Sequence, residues 1–144
     1  FVCANAGVDA SNVGTDDGVT LLPEDPDRSA AGLRASILEE LGVDVGVVVS
    51  DSFGRPWRLG ITDIALGISG FAPLADLRGE VDTEGRQMHA TVVAIADELA
   101  STAELASGKT SRRPAVLIRG ARLPAGAGSV AGDVVMPVEQ DLFR

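Results

Sequence analysis

Apolar residues recur at two different spacings along this chain, and the change from one spacing to the other marks out its elements. Phe1-Val2-Cys3-Ala4 reads as a strand, and the following residues 5–13 are dense in turn-forming Asn, Asp, Gly and Ser. Residues 15–26 are acidic with a short apolar interruption at Val19 to Leu22, which predicts a surface loop or edge strand. Ala30, Leu33, Ile37 and Leu41 then recur at helical spacing, with Asp27 as the expected cap and Gly42 as the stop. A β-branched strand from Val43 to Ser50 follows and delivers Asp51 to a polar loop. In the next strand, residues 61–70, Thr62, Ile64, Leu66 and Ile68 alternate with Ala65 and Gly67, so an element is expected to pack closely on the glycine face. From Asp82-Thr83-Glu84-Gly85-Arg86 a long helical stripe of Met88, Val92, Ala96, Leu99 and Ala103 runs to a stop at Gly108. Residues 114–120 read as a last strand, and residues 121–144, without a period, as a linker or tail. The helix leading into a strand has the order of an α/β unit, and the pattern as a whole predicts an α+β (mixed α/β) chain of strands with packed helices. Its opening inside a strand leads us to expect a piece of something longer, incomplete at the N-terminus.

Composition narrows the class. The 144 residues suffice for one domain, and with only 3% aromatics its core must be made of Val, Leu, Ile and Ala. A formal charge of -9 argues against a nucleic-acid binder, because no long basic surface is available to neutralise phosphates. No apolar run is long enough to span a bilayer, so no membrane partner and a cytoplasmic location are expected. The single cysteine, Cys3, cannot form an internal disulfide and reads as a small buried hydrophobe, in keeping with a reducing compartment.

Familiar catalytic signatures are missing. The chain has no CxxC, HExxH, GxSxG, Walker or GxGxxG motif, and Gly108-Lys109-Thr110 follows a helix where a phosphate loop precedes one. The lone histidine, His89, reads as packed or solvated. What remains is a constellation of Asp9 with Asn12, Asp51 with Ser52, and Arg55, Arg58 and Arg86. Taken singly, each acid is a turn cap and each arginine half of a weak surface pair. Taken together, two acids placed after apolar strands, with a hydroxyl and several guanidiniums beside them, suit oxygen ligation of a metal ion with a phosphate.

The runs Cys3-Ala4-Asn5-Ala6-Gly7-Val8-Asp9-Ala10-Ser11-Asn12-Val13 and Val49-Ser50-Asp51-Ser52-Phe53-Gly54-Arg55-Pro56-Trp57-Arg58-Leu59-Gly60 resemble the gamma-glutamyl ligase family of deazaflavin coenzyme F-420 biosynthesis. Ala94-Ile95-Ala96-Asp97-Glu98-Leu99-Ala100 and Pro114-Ala115-Val116-Leu117-Ile118-Arg119-Gly120 support the resemblance, which covers residues 1–120. Residues 1–120 are thus expected to be the C-terminal portion of a ligase domain with a gamma-glutamyl ligase-like fold. The resemblance also implies a further segment upstream and, in two-domain members, a nitroreductase-like domain beyond residue 144. It implies an enzyme in which GTP drives attachment of L-glutamate to the carboxylate of the coenzyme F-420 precursor through gamma-linked amide bonds. The implied cofactors are a divalent metal, magnesium or manganese, and a monovalent cation. By position, Asp9 and Asp51 resemble ligands to one metal, Ser52 a ligand to a second, and Asn12 a GTP contact. The nucleotide stretch falls on residues 105–109, with Leu105, Gly108 and Lys109 as its contacts. Lys109 departs from an acidic residue in some relatives and has no lone pair for a second metal. Arg55 and Arg58 are candidates for neutralising the remaining phosphate charge, and a homodimer is expected. A different class stays open beside the ligase: a truncated, non-catalytic metal- or nucleotide-binding module.

Overall fold

In the computed structural model the described residues are Val8, Asp9, Val13 and 18–141. Strand β1 (Val8–Asp9) pairs antiparallel with β2 (Thr20–Leu21) in a sheet of its own. Helix α1 (Pro26–Leu41) leads to the long hairpin of β3 (Val47–Gly54) and β4 (Ile61–Ser69). A third small sheet joins β5 (Ala75–Asp76) to β6 (Val92–Val93), and α2 (Ile95–Ser107) follows. Helices and antiparallel strands in one chain make the class α+β, as the sequence pattern predicts. Among the described residues no helix is long and apolar enough to cross a membrane.

The two helices lie against β4, and the reason is visible in its sequence. Across the hairpin Val49 faces Gly67 while Ser50 faces Ala65, so Leu66 is the extra residue of a bulge and the strict alternation breaks there. Ala65, Leu66, Gly67 and Ile68 are consequently all buried. Gly67 has no side chain because the backbone of Pro26 and Asp27, opening α1, occupies the space a Cβ would need. This is the close packing expected on the glycine face. Phe71, Ala96 and Val130 complete the small core with Ala65 and Ile68.

Several expectations are corrected. Asp25, not Asp27, caps α1: its Oδ1 accepts the Arg28 N–H at 2.9 Å, Pro26 opens the helix, and Gly42 at φ 66° closes it. Asp27 instead serves β4, where its Oδ1 accepts the Ile68 N–H at 2.8 Å. Strand β3 continues past Ser50 to Gly54, because β4 offers a partner along that whole length, including Ile64 for Asp51 and Asp63 for Ser52. The long helix begins at Ile95 and not near Met88. Asp82 draws in the N–H groups of Glu84 and Arg86 at 2.9 and 2.8 Å, so residues 79–88 turn back on themselves and β5 finds β6. Residues 114–120, read as a strand, have no ladder partner among the described residues. Part of the expected linker is packed: Val130 is fully buried, and Asp27 Oδ1 accepts its N–H at 3.0 Å.

Candidate functional site

One side of β3, the C-terminal half of α2 and residues 113–123 surround a cavity of about 1060 Å³. Part of its wall is apolar, from Ile37, Val47, Val49, Phe71, Leu99 and Val116. The rest is polar and charged, from Asp51, Ser52, Asp63, Glu104, Lys109 and Arg113.

Each polar group is placed by a backbone reason. Asp51 and Ser52 sit on β3, where Asp51 Oδ1 accepts the Ser52 N–H at 2.7 Å. Across the hairpin Ser50 Oγ lies 3.2 Å from Asp63 Oδ2 and donates to it. Helix α2 is fastened over β4 by Asp97, whose Oδ1 accepts the Ala65 N–H at 2.9 Å, and by Ser101, whose Oγ donates to the Asp63 carbonyl at 2.8 Å. Asp97, Ser101 and Glu104 share a helix face by their spacing, so the same docking carries Glu104 toward Asp63. At Gly108, φ 64°, α2 ends with its N–H donating to Glu104 O at 2.8 Å. Lys109 then stands where its Nζ lies 3.4 Å from Ser52 Oγ. A cation just past a helix C-terminus is favourably placed against the partial negative charge of the last carbonyls.

Burial pushes the Asp63 carboxyl above the usual carboxylate range; the Ser50 hydroxyl pulls it back, while Glu104 and Asp51 push it further up and Lys109 opposes them. The folded chain therefore holds this proton more tightly than the unfolded one does. Between the ordinary value and the raised one the unfolded state binds fewer protons, so this group makes stability fall as pH rises through that window. Asp63→Asn, which keeps an acceptor for Ser50, is expected to remove this contribution. Subtracting the variant's denaturant midpoints across pH from the parent's isolates it, and a difference with the opposite slope would show the shift to be downward.

Of the residues singled out in the sequence, the structure brings together Asp51, Ser52, Gly108 and Lys109. Arg55 and Arg58 lie outside the cavity in the exposed turn between β3 and β4, and Leu105 is 89% exposed on the outer side of α2. Arg86 sits in the turn made by Asp82. Asp9 does not line the cavity either: β1 pairs with β2, in a sheet separate from β3 and β4, and the Thr20 hydroxyl donates to the Asp9 carbonyl at 3.3 Å. Asn12 and Cys3 lie outside the described residues. Asp63, Glu104 and Arg113 were missed by sequence reasoning. Asp63 carried a signal, a carboxylate within an otherwise apolar strand; Glu104 carried none, because an acid on an amphipathic helix ordinarily faces water.

Among the described residues no group of three or more His, Cys, Asp or Glu is placed to hold a metal ion. Ser52, expected as a ligand, has the Lys109 ammonium beside its hydroxyl oxygen, which a second cation would have to displace. The described residues thus do not by themselves fit a metal centre.

The domain is α+β, and its cavity combines apolar walls with a few converging charged groups, the form that small-molecule sites usually take. The chain belongs to the F420-0:Gamma-glutamyl ligase family, whose model matches residues 1–120. It is 48% identical over its whole length to the coenzyme F420:L-glutamate ligase of Methanocaldococcus jannaschii and 45% identical to that of Methanococcus maripaludis, spanning 57% of each. Over 83% of its length it is 52% identical to the Methanopyrus kandleri protein of the same name, covering 48% of that protein. The chain therefore spans about half the length of the relatives it matches.

Proposed function

We propose that this chain is the part of a GTP-dependent ligase that joins L-glutamate to the coenzyme F420 precursor through a gamma-linked amide, with the cavity beside Asp51, Ser52 and Lys109 as the reaction site. One observation carries the reading: in a member of this family, residues from β3 and from the end of α2, more than fifty positions apart, converge on one cavity through the approach of Lys109 to Ser52.

Joining a carboxylate to an amine requires activation. In our reading a carboxylate oxygen of the acceptor attacks the terminal phosphorus of GTP, the bond to the bridging oxygen breaks, and GDP leaves with its electron pair. The glutamate nitrogen then attacks the acyl phosphate carbon, a C–N bond forms and inorganic phosphate departs. The work left to the protein is to neutralise and align phosphate oxygens and to take the proton that the amine loses. We assign the first to Lys109 and Arg113, and the second to Asp63, the carboxyl on the same wall. No covalent enzyme nucleophile is required. Divalent metal, with Asp51 as its contact here, belongs to the same proposal, as does a homodimer.

The test is to incubate the full-length protein with the precursor, L-glutamate and GTP and follow products by mass. A gain of one glutamyl residue per cycle with equal release of GDP is expected. Amide formation at the same rate without a nucleoside triphosphate would overturn the activation scheme, and the absence of any glutamyl product would overturn the reading as a whole.

A further inference from the structure

The turn that joins β3 to β4 exposes what a chain of this composition has least of. Trp57, the one tryptophan in the 144 residues, is 82% exposed, and Leu59 beside it is fully exposed. Trp57 also has φ 56°, a region in which a bulky residue is an outlier, and the turn is tied by Arg58 N–H to Arg55 O and by Arg55 Nη2 to Leu59 O, both at 3.4 Å. Scattered exposed leucines need no explanation, but an indole held outward in a strained turn between two guanidiniums does. The chain carries a net charge of -9, yet among the described residues neither Arg55 nor Arg58 forms an ion pair with a carboxylate. An exposed indole with a cationic residue on each side of it in the sequence, neither cation paired with a carboxylate among the described residues, is complementary to a planar aromatic molecule that bears an anionic group.

We infer that this turn is the docking platform for the deazaflavin acceptor, with the ring system stacked on Trp57 and its acidic chain held by Arg55 and Arg58; the inference rests on the reaction proposed above. The position in the fold selects the acceptor over the nucleotide. Lys109 and Arg113, the cations assigned above to phosphate, are at the cavity, whereas the turn lies beyond the end of β3. A strand rises about 3.3 Å per residue, so the turn stands on the order of 10 Å from Ser52. A long acceptor lying along the hairpin with its ring on Trp57 thereby presents its far carboxylate to the cavity. The arginines guide and hold it without touching the bonds that change.

The experiment has a direct optical readout. Emission from Trp57, taken as the difference between the parent and Trp57→Phe, is expected to be quenched saturably by the deazaflavin precursor and left unchanged by GTP alone. Trp57→Ala is expected to raise KM for the acceptor about tenfold with kcat held within about twofold, because a stacking contact made equally in the ground and transition states is lost. KM for GTP should stay unchanged, and Trp57→Phe should restore most of the loss. Arg55→Ala and Arg58→Ala should each raise the acceptor's KM in the same way. Quenching by GTP in place of the acceptor overturns the inference, and so does glutamyl product formed by Trp57→Ala with an unaltered KM. If the protein forms no glutamyl product at all, the proposed reaction fails, while saturable quenching by the precursor still decides whether the turn binds it.

Discussion

Asp51→Asn is expected to lower glutamate transfer by about 10²–10³-fold or more while leaving the fold intact, the scale seen when a charge-stabilising group is removed from a reaction site. The hydrogen bond drawn by Asp51 in the structure runs from the Ser52 N–H to its Oδ1 at 2.7 Å. An asparagine keeps that oxygen and loses only the charge. If Asp51 served the strand alone, the amide would replace it with little change in either stability or turnover. If its charge balances Lys109 or holds a cation at the cavity, turnover collapses and thermal unfolding does not move. Product formation followed by mass, with circular dichroism as the folding control, separates the two. Near-normal turnover in the variant would remove Asp51 from the reaction site.

The largest effect on stability is expected at Asp27. Its carboxylate accepts the N–H groups of Ile68 at 2.8 Å, Val130 at 3.0 Å and Ala131 at 3.4 Å, linking α1, β4 and the C-terminal segment through one side chain. Alanine leaves the Ile68 and Val130 donors without an acceptor beside a tightly packed core. Each orphaned donor costs about 1–3 kcal/mol, so Asp27→Ala should destabilise by about 2–6 kcal/mol. Asparagine retains one oxygen in place of Oδ1, which serves both of those donors, and should cost far less. Denaturant midpoints read the difference, and limited proteolysis should show residues 128–134 opening in the alanine variant. Equal midpoints for the alanine and asparagine variants would mean that these hydrogen bonds do not hold the segment in place.

How much of this was legible in the sequence depends on the range of the interaction involved. The first helix with its stop at Gly42, the second long strand and the tight packing at Gly67 were readable, because hydrophobic period and glycine placement are local. The misread elements all turn on a partner distant in the chain. Residues 82–93 carry a helical period, but Asp82 turns the backbone and β5 supplies a strand for Val92 and Val93. Asp27 has every local qualification for a cap, and Asp25 takes that role because Asp27 is claimed by donors 41 and 103 positions away.

The same division runs through the site. Sequence alone determined that Asp51, Ser52, Gly108 and Lys109 were residues to watch, through the chemistry of a carboxylate after a β-branched run and through family resemblance. Tertiary structure decided that Lys109 reaches Ser52 and that Asp63 and Glu104 stand beside them. It also set Arg55 and Arg58 outside the cavity, beside Trp57. The physical reason is that residue type and spacing fix what a side chain can do, whereas the company it keeps is fixed by the docking of α2 on β4 through Asp97 and Ser101. That docking depends on backbone donors and acceptors on the edge of β4, which every residue carries and which no pattern of side chains reveals.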